Sequence, residues 1–238
     1  TKHGIMLTGT IDLARAVACV TEKWESSTKK RFLKFRYTAL CALLVLSLMI
    51  GGCSQKTQPK RYEKVYLDVF DTVTTVILYD TSEESANETF EKLHDILLSY
   101  HKLYDIYHTY DGMNNLATVN QNAGIAPVKV DEKILDMVEY AISMDKLTNG
   151  RMNIAMGGVL QIWQTYRDAG LDDPAAAKLP PMDDLQAANA HASIDSIVLD
   201  RTAGTLYVSD PSTQIDVCAI AKGDAAQKAT EGVKNAGG

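Results

Sequence analysis

The sequence predicts an α+β fold, with mixed or antiparallel sheets and long amphipathic helices. Three observations carry this expectation. Two long stretches, opening near Glu84 and Asp131, repeat apolar residues every three and four positions, the period of a helix with one buried face. Short runs rich in Val, Ile, Tyr and Thr come in pairs around turn residues, as hairpins do. Strands and helices do not alternate one for one, which argues against a doubly wound parallel sheet. The 238 residues, 46% hydrophobic and 23% charged, suffice for one large domain or two small ones.

Taken in order, Tyr62 to Phe70 and Val73 to Tyr79 read as strands. Thr81 with Glu84 has capping-box spacing and opens a long helix with Phe90, Leu93, Leu97, Tyr100, Tyr104 and Tyr107 on its apolar face. A polar segment, Thr109 to Asn115, turns at Asp111-Gly112, and a short helix follows to Asn120. Asp131 caps a second long helix with Ile134, Leu135, Val138, Ala141 and Ile142 on one face, stopping at Asn149-Gly150. Met152 to Gly158 is a small-residue loop before a helix over Val159 to Arg167 that carries Trp163. Leu171 to Met182, rich in Pro, Ala and Asp, reads as an excursion. Ile194 to Leu199 and Thr205 to Val208 flank a hairpin turn ending in Gly204. Gln214 to Val217 is a short strand, and Ala219 to Gly223 a small-residue turn feeding a last helix to about Asn235.

The charge is unevenly spread. Of 24 Lys and Arg and 30 Asp and Glu, 8 and 3 precede Cys53, leaving 16 and 27 after it. An acidic main body argues against nucleic acid as a partner, because phosphate backbones call for basic patches. The early segment reads as an export signal. A basic cluster at Lys29, Lys30, Arg31, Lys34 and Arg36 precedes an apolar run from Tyr37 to Ile50, too short for the ~20 residues that span a bilayer. The run ends in Gly51-Gly52-Cys53, which resembles the lipobox of bacterial lipoproteins. The resemblance implies lipidation at Cys53, anchoring to the extracytoplasmic side of the membrane, and a tether to residue 61. Residues 1–28 then lie upstream of the signal (29–52), and the folded part runs over 62–238. Cys218 is the one cysteine after Cys53, so that part has no internal disulfide and no paired-cysteine zinc motif. Thr1 and Ala236-Gly237-Gly238 read as cut ends, so the folded part is expected to be the N-terminal portion of a longer domain.

Several groups invite a chemical reading. His94, His101 and His108 recur every seven residues; two helical turns separate neighbours, too far to share an ion, so they read as boundary histidines. Asp172-Asp173 and Asp183-Asp184 read as solvated acids in the excursion. The segment Gln214 to Gly223 combines a strand ending in Asp216, small residues, Lys222 and a helix start. Free N–H groups and a positive dipole end there suit a phosphate, although a plain strand-to-helix turn has the same ingredients.

Here the chain resembles a known family, the FAD:protein FMN transferases or ApbE-type flavin transferases. Their pattern Ile-Asp-Leu-Gly-Gly-Ile-Ala-Lys-Gly-Tyr-Ala is met by Ile215-Asp216 and Ile220-Ala221-Lys222-Gly223, with Asp224 in place of Tyr and Gln227 where Asp is frequent. Phe70-Asp71-Thr72 stands at the family's Met-Gly-Thr strand. His108-Thr109-Tyr110-Asp111 through Asn114, Asn115 and Asn120 matches the spacing of Ser-x-Tyr-x-x-x-Ser-Glu-x-x-x-x-Asn. Thr148 to Asn153, then Gly157, Leu160 and Trp163, matches Thr-x-Gly-x-Phe-Asp followed by Gly, Leu and Trp.

The resemblance implies that Phe70 and Tyr110, with Asp111, cradle a flavin ring, and that Asp216, Lys222 and Gly223 lie beside the FAD diphosphate. Read from the residues alone, Phe70 is equally a core side chain and Tyr110 an exposed turn residue. The resemblance further implies a Mg²⁺ ion bound by the backbone carbonyl of Ala221 and catalytic residues beyond Gly238. The implied activity is Mg²⁺-dependent transfer of FMN from FAD to a Thr or Ser hydroxyl of a partner flavoprotein. FAD hydrolysis and a non-catalytic flavin- or solute-binding lipoprotein are the alternatives. The stretch as given is expected to be inactive by itself.

Overall fold

A computed structural model of the protein describes residues 58–235. The signal segment 29–52 and the lipidation site Cys53 lie outside the described residues. Among the described residues no helix is long and apolar enough to cross a membrane.

The chain opens with an antiparallel hairpin, β1 (Lys60–Tyr66) and β2 (Thr74–Asp80), in register from Lys60↔Asp80 to Tyr66↔Thr74. β1 therefore takes in the last two residues of the expected tether. The expected strand over Tyr62 to Phe70 stops at Tyr66, and residues 67–73 form the connecting loop. Helix α1 (Glu83–Tyr104) follows. Its N-cap is Ser82, whose hydroxyl accepts from the Ser85 N–H, in place of the expected Thr81 box. The apolar stripe is buried as its period requires: Phe90, Leu93, Leu97, Tyr100 and Tyr104 are all in the core. Tyr107 lies past the helix end and is exposed.

Asn115 caps α2 (Leu116–Gln121) with a reciprocal capping box to Thr118. A two-residue strand β3 (Val128–Lys129) leads to α3 (Glu132–Leu147), capped by Asp131 and closed by the left-handed pair Asn149 and Gly150. Helix α4 (Gly157–Asp172) starts two residues earlier and ends five later than its apolar pattern suggests. The Pro- and Ala-rich excursion contains a 3-10 turn, Pro174–Ala176, and a further helix, α5 (Met182–Asn189). β4 (Ile197–Asp200) and β5 (Thr205–Val208) form the expected hairpin, and β3 joins β5 to give the antiparallel order β3-β5-β4.

Helix α6 (Cys218–Asn235) closes the described chain. It overturns the expected turn at 219–223: those residues are its first turns. Alanine has the highest helix propensity, and the packing of the helix on α1 offsets the about 1 kcal/mol that Gly223 costs inside it. The buried face of α6 is Ala221, Ala225, Ala229 and Val233, small residues that let its backbone approach α1; at Gly232 an added Cβ would lie 3.0 Å from Ile96. Residues 214–217 form no strand. One parallel bridge, Met156↔Gln214, is their sheet-like contact.

Candidate functional site

Loop 67–73 is the first wall. Val69 is fully buried and pins it to the core. The next two residues are left-handed, Phe70 at φ 57° and Asp71 at φ 49°. Two consecutive non-glycine residues in this region are unfavourable, about 1–2 kcal/mol each, and persist where surrounding contacts hold them. One such contact is the Phe70 N–H, which donates to His101 Nδ1 at 3.1 Å.

The segment after α1 is organised by one buried carboxylate. Asp105 accepts the backbone N–H groups of Tyr107 (2.7 Å) and His108 (3.0 Å), the Tyr110 hydroxyl (2.8 Å) and the His108 ring (3.2 Å). Burial alone would raise its pKa. The donors outweigh that and hold the carboxyl below the usual range. Burial, and next the bond to Asp105, push the Tyr110 phenol up to about 12. The same turn sends Tyr107 the other way, and its hydroxyl donates to Gln164 Oε1 on α4 at 3.0 Å.

The third wall is residues 214–218, stitched in place from two sides. Asn120 pairs its side-chain amide with both backbone groups of Ile215: Nδ2 donates to the carbonyl at 2.9 Å and Oδ1 accepts the N–H at 2.8 Å. Opposite, Gly157 N–H donates to Gln214 carbonyl at 3.0 Å and Asp216 N–H to Ile154 carbonyl at 2.8 Å. An added Cβ at Gly157 would lie 2.5 Å from that Gln214 oxygen, so glycine is required there. Asp216 Oδ1 accepts the Cys218 N–H at 2.7 Å, satisfying one free donor of the α6 N-terminus. Cys218 is exposed as a residue, but burial of the thiol, and next the Asp216 charge, push its pKa up to about 12. It is a neutral thiol near pH 7, not an activated nucleophile.

These walls line an open cavity of about 800 Å³. Phe70, Asp71 and Thr72 line one side and Tyr107 the next. Leu160, Trp163, Gln164, Arg167 and Leu171 of α4 line the third, with residues 177–179 beyond them. Asp216, Cys218 and Lys222 line the fourth.

Of the candidates from the sequence, the cavity brings together Phe70, Asp216 and Lys222. Tyr110 is turned onto Asp105, and the aromatic at the cavity is Tyr107, three residues earlier. Asp111 is exposed in the turn at Gly112, and Gly223 lies in α6; neither lines the cavity. Ala221 is 5% exposed, with its side chain in the core and its carbonyl in a helical turn that directs it along the axis toward Ala225. Asp224 accepts the Tyr104 hydroxyl at 2.8 Å, a structural role for the acid that replaces tyrosine in the pattern. The sequence places Leu160 and Trp163 in the family pattern but points to no site role for them, for Tyr107, for Arg167 or for the rest of the α4 face. Its signal is Leu160, Trp163, Gln164, Arg167 and Leu171 at helical spacing, with Leu160, Trp163 and Leu171 all exposed.

The family profile described as the ApbE family matches residues 70–238, beginning at Phe70 and running through every wall of the cavity. The chain belongs to the ApbE family. Among curated relatives of this ApbE-family chain, the FAD:protein FMN transferase of Chlamydia pneumoniae is 24% identical over 181 residues, covering 76% of this chain and 53% of the relative. That of Haemophilus influenzae is 26% identical over 184 residues, covering 76% and 50%. The chain thus spans about half the length of the curated relatives it matches. The fold agrees with solved structures. The flavin transferase ApbE of Vibrio cholerae superposes with a TM-score of 0.60 at 16% identity, covering 75% of this chain and 55% of the other. The ApbE protein of Thermotoga maritima gives 0.59 at 18%, covering 72% and 52%.

Proposed function

We propose that this chain carries the flavin-binding part of an FAD:protein FMN transferase. One observation carries the reading: a single cavity joins an aromatic wall, Phe70, Tyr107 and Trp163, to a helix N-terminus with Lys222 beside it. FAD has the same two ends, a flat ring that wants an apolar wall and a diphosphate that wants N–H groups and cations. The volume suits such a ligand.

Asp71 and Asp216, which line the same cavity from different walls, bear on the metal. Two carboxylates beside a diphosphate repel it unless a divalent cation lies between, and carboxylate oxygens are the hard donors Mg²⁺ prefers. Among the described residues no three His, Cys, Asp or Glu side chains gather into a metal site, so phosphate oxygens and water would complete the shell. When bound, Mg²⁺ supplies charge neutralisation at the diphosphate. The chain's own residues hold the ring against Trp163 and Phe70, screen it from water and direct the phosphates to Lys222 and the α6 N-terminus. In the transfer, a Thr or Ser hydroxyl of an acceptor flavoprotein attacks the FMN phosphorus and gives up its proton to solvent, the bond from that phosphorus to the bridging oxygen breaks, and AMP leaves with that oxygen.

The test is incubation of the full-length protein with FAD, Mg²⁺ and a flavin-acceptor domain; residues 58–238 alone are expected to bind FAD without transferring FMN. Covalently fluorescent acceptor supports transfer. Free FMN would assign a hydrolase, and bound but unchanged FAD a binding protein. Anchoring through lipidated Cys53 is part of the proposal, supported by the basic flank, short apolar run and Gly51-Gly52-Cys53. Cys53→Ala is expected to abolish lipid labelling, and retained labelling would refute the anchor.

A further inference from the structure

We propose that His101 is a positioning residue that sets the aim of Phe70 in the cavity; the inference rests on the flavin reading of that cavity. Seven residues, 67–73, connect strands whose last pair is Tyr66↔Thr74. Two residues suffice to close a hairpin, so a loop this long needs outside support to hold one conformation. Helix α1 supplies it through two histidines on one flank, seven residues apart. His94 Nε2 meets Asp68 Oδ2 at 2.8 Å while its ring stacks on Tyr66, centroids 4.5 Å apart and planes 12° apart. His101 grips the residue that lines the cavity.

The grip on Phe70 has two points. Nδ1 of His101 accepts the Phe70 N–H at 3.1 Å. The His101 ring meets the Phe70 ring edge-on, centroids 5.6 Å apart at 81°. A backbone N–H can only donate, so Nδ1 presents its lone pair and the ring proton sits on Nε2. One side chain thus fixes both the backbone and the ring of a residue at φ 57°, a region an aromatic side chain does not hold unaided. Asp71, at φ 49°, inherits its direction into the cavity from the same anchor. His94 and His101 are the link between the helical core and the ligand wall.

Two substitutions separate the contacts. His101→Phe keeps an aromatic edge and removes the acceptor. His101→Asn keeps an acceptor at the Nδ1 position and removes the ring. Hydrogen exchange of the Phe70 amide is read first, without ligand: about tenfold faster exchange is expected in His101→Phe, with most of the protection restored in His101→Asn. FAD affinity, read by flavin fluorescence, is expected to weaken about tenfold in His101→Phe and less in His101→Asn. Transfer by the full-length protein at saturating FAD is expected to be nearly unchanged, with circular dichroism and urea midpoints verifying the fold. Equal Phe70 exchange in all three proteins overturns the grip. Altered exchange with unchanged FAD affinity overturns the positioning role. Absence of FAD binding by the parent protein sinks the flavin reading instead, and the exchange comparison then still decides whether His101 holds Phe70.

Discussion

Gly157→Ala tests how the cavity floor is held. The added Cβ would sit 2.5 Å from the Gln214 carbonyl oxygen and 2.9 Å from its carbonyl carbon. Both are backbone atoms, so no side chain can rotate away, and the start of α4 must separate from residues 214–216. Separation breaks the 3.0 Å bond from Gly157 N–H to Gln214 and strains the neighbouring 2.8 Å bond from Asp216 N–H to Ile154. Losing one to two such bonds costs about 0.5–1.5 kcal/mol each, and overpacking adds about 1–3. Replacing glycine in a helix returns about 0.5–1. The net expectation is a loss of about 2–3 kcal/mol, read by urea unfolding, with weakened FAD binding because Asp216 moves with the strand-like segment. Gly158→Ala is the control. Its Cβ would meet only Ser212 carbonyl at 3.8 Å, an ordinary contact, so it is expected to be neutral or slightly stabilising. A loss below about 0.5 kcal/mol in Gly157→Ala, or equal losses at both positions, would refute the close-approach argument.

Three further outcomes are expected. Asn120→Leu removes both partners of the buried Ile215 backbone and should cost about 2–4 kcal/mol in urea unfolding; a cost near zero would show that the paired amide is dispensable. Asp71→Gly relieves one left-handed residue and should raise stability by about 1 kcal/mol while weakening Mg²⁺-dependent FAD binding, and reduced stability would argue against the strain. Asp105 titrates below the ordinary carboxylate value in the folded protein, so its stabilisation is present above about pH 4 and lost as pH falls through the depressed folded value. The stability gap between the parent protein and Asp105→Asn should therefore narrow on acidification below pH ~4, and a gap constant with pH would rule this out.

What the sequence revealed follows from which forces are local. Leu93, Leu97, Tyr100 and Tyr104 announce α1 because helix period and burial coincide there, and Gly204 marks the β4–β5 turn because φ +68° is cheap for glycine. Phe70 and Asp71 misled because Val69-Phe70 has strand propensity, while the left-handed turn is imposed by His101, 31 residues away. Tyr110 and Tyr107 could not be sorted, since the choice between them depends on a carboxylate, Asp105, that buries itself under one of them. The alanines and Gly223 read as a turn because small residues suit both a turn and a close helix contact; the α1–α6 packing decides between them. The α4 face stayed hidden because an exposed apolar stripe is unremarkable until a cavity is found beneath it.

The suspended segment 214–217 has a consequence for the order in which the molecule assembles. Its fixings to the other walls are distant in the chain, the Asn120–Ile215 pair being 95 residues apart. The β1–β2 and β4–β5 hairpins pair neighbouring stretches of chain, and such contacts form early because little chain has to be closed. The cavity floor is therefore expected to form after the hairpins, an order that φ-values at Asn120 and Gly157 would test. Ile215 and Val217 are fully buried in the core, so releasing this wall of the cavity uncovers core side chains as well, and ligand escape by that route is tied to core exposure.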